Sequence, residues 1–290
     1  MNQPIGTATL LRCPPGTSIQ DLGRVAGAVH GIPSSGAMDQ LSLCWANHLL
    51  QNSEQAAGIE CAQPGLKISF NQPTVLSFAG AIVQVFLNEA PLPQSSLISI
   101  DSGDVIEIGA FLTGARLYIC IAGGFETVTY LNSRSADNSL SQLAPCRKGT
   151  GLPYPLLVNS FNWTARPKWS SNWYESPELI AYPGPDWELL SSDQQAAFCE
   201  GTFHLSKNSD RMGIQLEELF ENTLPDLPTN PVFPGMLQLS PGGKLILLMR
   251  DAGVTGGYPR IVYLTEDAIS KISQKRAGDP IHFKLKITKH

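Results

Sequence analysis

The chain has 290 residues, 42% of them hydrophobic and 16% charged, with a formal net charge of -5. That length suits two modest domains or one large one, each able to bury a core, and the composition excludes a disordered chain. The acidic balance excludes general nucleic-acid binding, and apolar runs such as TVLSFAGAIVQVFL are too short to span a bilayer. The N-terminus carries no signal-like run, and the six cysteines are dispersed without a C-x-x-C pair. A cytoplasmic protein with reduced thiols and no metal site is the expectation.

In chain order, LKISF, TVLSFAG, IVQVFL, SLISI, DVIEIG and RLYICIAGG read as short strands, and one helix interrupts the series ahead of them. In DQLSLCWANHLLQN, Leu41, Cys44, Trp45, Leu49 and Leu50 fall near a 3.6 period, and Asp39 stands at the N-cap. From 147 to 185 the composition shifts to Pro, Trp, Asn, Ser and Tyr, which reads as a segment connecting an N-terminal β domain (1–146) to a C-terminal one (186–290). The second domain offers DQQAAFCEG as a short helix and TFHLSK, MLQLS, KLILLMRD, RIVYLT and PIHFKLKIT as strands. EDAISKISQKRAG reads as a helix closed by Gly278. FKLKITKH reads as a solvated edge strand rather than a basic patch. The fold class is mainly β, with two barrel-type domains and a few short helices.

Three loops carry the chemistry-bearing residues. Asp21-Leu22-Gly23-Arg24 places a carboxylate and a guanidinium beside a glycine; Arg24 suits bidentate capture of an oxyanion, the alternative being an Asp21 and Arg24 pair that holds the loop. In GIPSSGAMD, Ser34 and Ser35 sit in a turn before the helix, where exposed amides attract anions, and Asp39 either orients a substrate group or only caps the helix. Asp210 and Arg211 repeat the pairing of charges beside Gly213. RDAGVTGGYPRIVYL is longer than a hairpin turn needs; it supplies Asp251, the permissive Thr255, Gly256 and Gly257, then Tyr258 and Arg260. Asp39, Asp251 and Tyr258 are therefore the catalytic candidates. Arg24, Ser34, Ser35, Asp210, Arg211, Thr255, Gly256, Gly257 and Arg260 are the substrate- or anion-binding candidates. The expectation is that these loops line one polar cleft, and the alternative is that they are structural clasps. SPGGKL has Gln238 and Leu245 where a P-loop requires Gly and Ser/Thr, and the five histidines lack metal-ligand spacing.

TSIQDLGRVAG, GIPSSGAMD, SRSAD, YPGPD, NSDRMGIQL and TGGYPRIVYL, in this order, resemble the family of the 5-oxoprolinase C subunit, also described as a biotin-dependent carboxyltransferase family. The resemblance runs from Leu11 to Phe283. It implies cyclophilin-like β-barrel domains and a non-autonomous enzyme subunit that, together with A-subunit and B-subunit homologues, opens the small molecule 5-oxoproline to glutamate at the expense of ATP. The nucleotide would be bound by, or shared with, a partner. Phosphorylating the amide oxygen would activate an unstrained lactam, and Arg24, Arg211 and Arg260 would anchor phosphate and substrate carboxylate. Relatives form the carboxyltransferase part of urea carboxylase, and another regulates a sporulation kinase inhibitor. No Met-Lys-Met motif occurs, so no covalent biotin is expected on this chain. The chain departs from the family pattern at Gly253 and Val254, where the family has Gln and Thr, and over NSLSQLAPCRKGTG, which replaces a glycine-rich stretch. These departures keep two alternatives open: carboxyl transfer to urea or a similar amide, and regulatory binding of a B-subunit homologue.

Overall fold

A computed structural model describes residues 5–24, 26–93, 97–137, 143, 145–156, 170, 172–224 and 227–286. The chain divides into two compact units, Met1–Arg24 with Ser35–Ser171, and Val25–Ser34 with Asn172–His290. Residues 157–169 and 171 of the segment expected to connect two domains (147–185), and residues 138–142 and 144 of the departure after SRSAD, lie outside the described residues. Among the described residues no helix is long and apolar enough to cross a membrane.

The first unit is one antiparallel sheet of nine strands: β1 (Ile5–Arg12), β2 (Thr17–Gln20), β3 (Gly58–Cys61), β4 (Lys67–Phe70), β5 (Thr74–Leu87), β6 (Ala90–Leu92), β7 (Leu97–Ile100), β8 (Val105–Ile121) and β9 (Gly151–Pro155). It forms a half-barrel whose core buries Ile59, Ile68, Phe78, Ile106 and Ile119. TVLSFAG and IVQVFL, which read as two strands, are one 14-residue strand, and DVIEIG to RLYICI is one of 17. They pair from Leu76↔Ile121 to Leu87↔Ile106, slipping register between Gly80 and Ile82. Gly80 (φ +89°) sits where the slip occurs, and Gly114 (φ +73°) lies in the facing stretch of β8. A glycine at a bulge bends a strand without ending it, which is why the sequence signal broke there.

Helix α1 (Gln40–Leu49) packs on β5 and β8. The face it buries carries Leu43, Ala46, Asn47 and Leu50, whereas Leu41 is 40% exposed and Cys44 and Trp45 are half-buried. Of the stripe expected from periodicity, Leu49 and Leu50 are buried, while Leu41, Cys44 and Trp45 turn outward, so the stripe is rotated in its first half only. Two polar residues decide the phase: Ser42 bonds the Asp39 cap, and Asn47 donates to the Ala56 carbonyl at 2.8 Å. Burying Leu43 and Leu50 stabilises the unit by roughly 1.5–3 kcal/mol each.

The second unit contains a closed seven-stranded barrel of β10 (Glu178–Pro183), β11 (Phe203–Ser209), β12 (Gly213–Leu219), β14 (Met236–Leu239), β15 (Lys244–Leu248), β17 (Arg260–Leu264) and β18 (Pro280–Leu285). A small ribbon pairs β13 (Asn230–Pro231) with β16 (Thr255–Gly256). The expectation of an edge strand at the C-terminal end is overturned over the described part: β18 runs parallel to β10 and antiparallel to β11 and so closes the barrel. Its alternation is the reason, since Ile281 and Phe283 are buried while Lys284 reaches the exposed Glu178 carboxylate. Helix α2 (Ser192–Glu200) opens with a capping box between Ser191 and Gln194 and stacks Phe198 on Phe283. Helix α3 (Glu266–Ser273), capped by Thr265, ends a turn before Gly278, which instead turns the chain into β18 and donates its N–H to the Leu205 carbonyl. The fold is mainly β and of cyclophilin-like barrel type.

Candidate functional site

In the first unit the Asp21-Leu22-Gly23-Arg24 turn follows β2 and is packed against residues 133–137. Asp21 accepts hydrogen bonds from the Gly23 and Arg134 amides and from the hydroxyls of Ser133 and Ser135. Arg24 is 2% exposed; its guanidinium donates to the Ser135 carbonyl and lies 3.7 Å from Asp137. Asp21 and Arg24 thus each bind the 133–137 segment rather than one another. Ser35, left-handed at φ +51°, donates to the same Asp137 at 3.3 Å. Gly36 (φ +94°) lies against the Leu22–Gly23 backbone, where a Cβ would stand 3.0 Å from the Gly23 nitrogen, and this contact lets the Ala37 N–H reach the Asp21 carbonyl.

Asp39 occupies a second buried group. Its carboxylate caps α1 by accepting from the Ser42 amide at 2.9 Å and from the Ser42 hydroxyl. Its own N–H donates to the Tyr118 hydroxyl, which donates in turn to Glu60 at 2.6 Å; Glu60 also takes the Met38 N–H. Burial, reinforced by the Glu60 and Asp39 charges, raises the Tyr118 phenol well above its ordinary range, so it serves as a donor and not as a base.

In the second unit the two charged loops meet. Arg211 holds Asp251 through both carboxylate oxygens, at 2.8 and 2.9 Å, and the Asp251 amide donates back to the Arg211 carbonyl. Asp210 closes its own turn by accepting from the Met212 and Gly213 amides. Arg260 grips Asp186 through its backbone and its guanidinium. Burial alone would raise the Asp186 carboxyl, but those hydrogen bonds and the Arg260 charge outweigh it and hold the group below the usual carboxylate range. Ser34 donates to the Arg250 carbonyl at 3.4 Å, and Arg250 pairs with Glu266.

Thr255 and Gly256 form β16, and a Cβ at Gly256 would lie 2.6 Å from the Gln238 amide nitrogen, the end of a flexible side chain that can shift. Thr255, Gly257 and Tyr258 stand on the surface, with Tyr258 43% exposed. This loop is the open part of the candidate site. Ser133, Ser135, Asp137, Asp186, Glu60 and Tyr118 are partners that local sequence reading did not single out; SRSAD, YPGPD, GIECAQPGLKISF and GARLYICIAGGFE held the signal for them. Among the described residues no cluster of His, Cys, Asp or Glu forms a metal site.

A family model for the carboxyltransferase domain, subdomains A and B, matches residues 30–285. The chain belongs to this carboxyltransferase-domain family. The 5-oxoprolinase C subunit of Haemophilus influenzae is 28% identical to this carboxyltransferase-domain chain over 92% of its length and 87% of the relative's. The urea amidolyase of Lachancea kluyveri is 38% identical over 120 residues, which are 41% of the chain and 7% of that protein. The crystal structure of TTHA0988 superposes with a TM-score of 0.86 at 25% identity, covering 98% of the chain. The chain spans 57% of that structure's length.

Proposed function

We propose that this protein is a non-autonomous subunit of an ATP-dependent 5-oxoprolinase, acting in the cytoplasm with B-subunit and A-subunit homologues to open 5-oxoproline to glutamate. The observation that carries the reading is the near full-length similarity to a 5-oxoprolinase C subunit. The exposed Thr255-Gly256-Gly257-Tyr258 loop would receive the lactam, with the Tyr258 hydroxyl as a hydrogen-bond donor to a polarised oxygen. Arg211 and Asp251 would hold the base of that loop, leaving Asp251 as the acceptor for a lactam N–H. Arg24, Ser35 and Asp39 would support the turn before α1, and Asp210, Ser34 and Arg260 the loops of the second unit.

ATP supplies the phosphoryl group that makes an amide electrophilic. The guanidinium groups expected to anchor anions are each matched by an aspartate: Arg24 by Asp137, Arg211 by Asp251 and Arg260 by Asp186. That set does not fit a triphosphate by itself, and nucleotide binding is assigned to a partner.

The test is glutamate release from 5-oxoproline and ATP, measured with this chain alone, with its co-purified B-subunit homologue, and with the assembly of all three. Turnover confined to the assembled set supports the proposal. A stable complex without turnover sinks it for this substrate. The family match and the urea amidolyase similarity favour carboxyl transfer to urea or a similar amide as the second reading, with biotin brought by a separate carrier.

A further inference from the structure

The first unit contains a pocket of about 530 Å³ between β9, the end of β2, residues 126–128, Arg134, Ala136, Leu143 and residues 145–147. That volume lies in the range of small-molecule sites. Alternate residues of the 133–137 segment serve opposite sides. Ser133, Ser135 and Asp137 turn into the buried cluster with Asp21 and Arg24, whereas Arg134 and Ala136 line the pocket. Ile19 and Leu152 provide an apolar floor. Burial pushes the Cys146 thiol up to about 12, so it lines the pocket as a neutral group.

The polar lining is unspent. Among the described residues, the side chains of Arg134, Arg147 and Glu126 form no hydrogen bond or ion pair, in contrast to Arg24, Arg211 and Arg260. Two guanidinium groups against one carboxylate leave the lining with a single positive charge.

We propose that this pocket binds a small organic monocarboxylate, its oxygens held by Arg134 and Arg147, and its apolar body on Ile19 and Leu152. A guanidinium group matches the planar fork of a carboxylate. Binding is read directly, so the result does not depend on which reaction the chain serves.

The experiment titrates the full chain with benzoate, phenyl phosphate and the neutral isostere benzamide, by calorimetry and ligand-detected NMR. Benzoate is expected to bind saturably and benzamide not. Arg134→Gln and Arg147→Gln should each weaken benzoate by about tenfold or more, the scale of one charge-assisted hydrogen bond. Arg134→Gln keeps the backbone bond to Asp21, and unchanged melting temperatures confirm folding. Benzamide binding as tightly as benzoate, no saturable benzoate binding, or benzoate affinity indifferent to both arginines would overturn the site. Tighter phenyl phosphate than benzoate would overturn the assignment of a monocarboxylate.

Discussion

Arg24 shows how a residue type suited to ligand capture is used when it is wholly buried. Its side chain is 0% exposed, and its carboxylate partner Asp137 is 6% exposed. Removing one member of such a pair strands the other charge in a poor solvent. Arg24→Met should therefore cost about 3–5 kcal/mol in urea denaturation, and Arg24→Met with Asp137→Leu should recover much of the loss. Asp186 provides the pH test. Its folded value is held below the unfolded one, so its contribution is present above the usual aspartate range and is lost as pH falls through the lower folded value. Asp186→Asn should be less stable than the parent at neutral pH, with the gap closing below about pH 4. A gap that persists in acid would mean that packing, and not the Arg260 pair, is what the substitution removes. Aspartate and arginine in short turns were legible in the sequence as places of charge, but their partners were not, because 113 residues separate Arg24 from Asp137 and 74 separate Asp186 from Arg260.

At the scale of elements, the start of α1 and the end of β10 are the points where one atom decides the geometry. Asp39 caps α1 from a fully buried position. Asp39→Ala should cost about 0.5–2 kcal/mol, Asp39→Ser should restore part of it, and selective loss of activity in Asp39→Asn at unchanged stability would assign it to chemistry instead. Gly184 follows β10 with no room for a side chain: an added Cβ would lie 2.8 Å from the Ile261 carbonyl carbon and nearer still to the Arg260 oxygen. Gly184→Ala should separate β10 from β17 and loosen the Asp186–Arg260 pair, at a cost of about 1–3 kcal/mol by thermal melting. The helix signals were visible because caps and periodicity are local. The continuity of β5 and β8 was not, since a glycine bulge looks like a turn until the opposing strand is in place.

For the whole molecule, the division into units does not follow chain order, because Val25–Ser34 belongs with Asn172–His290. A fragment beginning at Asn172 lacks that segment and the Ser34 bond to Arg250. Backbone amides of β15 and β17 should exchange faster in this fragment than in the full chain, and equal protection would show that the early segment adds nothing to the unit. Comparing Tyr258→Phe with Arg24→Met in the proposed three-subunit assembly separates site from scaffold. The first should lower turnover at unchanged stability, and the second should lower stability first.

The sequence by itself determined the β class, the presence of the three helices and the Asp39 cap of the first, the family, and the loop ending in Gly-Gly-Tyr-Pro, all of which are written in local spacing and motif order. Tertiary structure alone decided which carboxylate meets which guanidinium, which face of α1 is buried, and that β18 closes a barrel instead of ending a sheet. The physical reason is that strand register and side-chain pairing join residues tens to more than a hundred positions apart, and their partners are fixed only when the competing pairings have been excluded by packing.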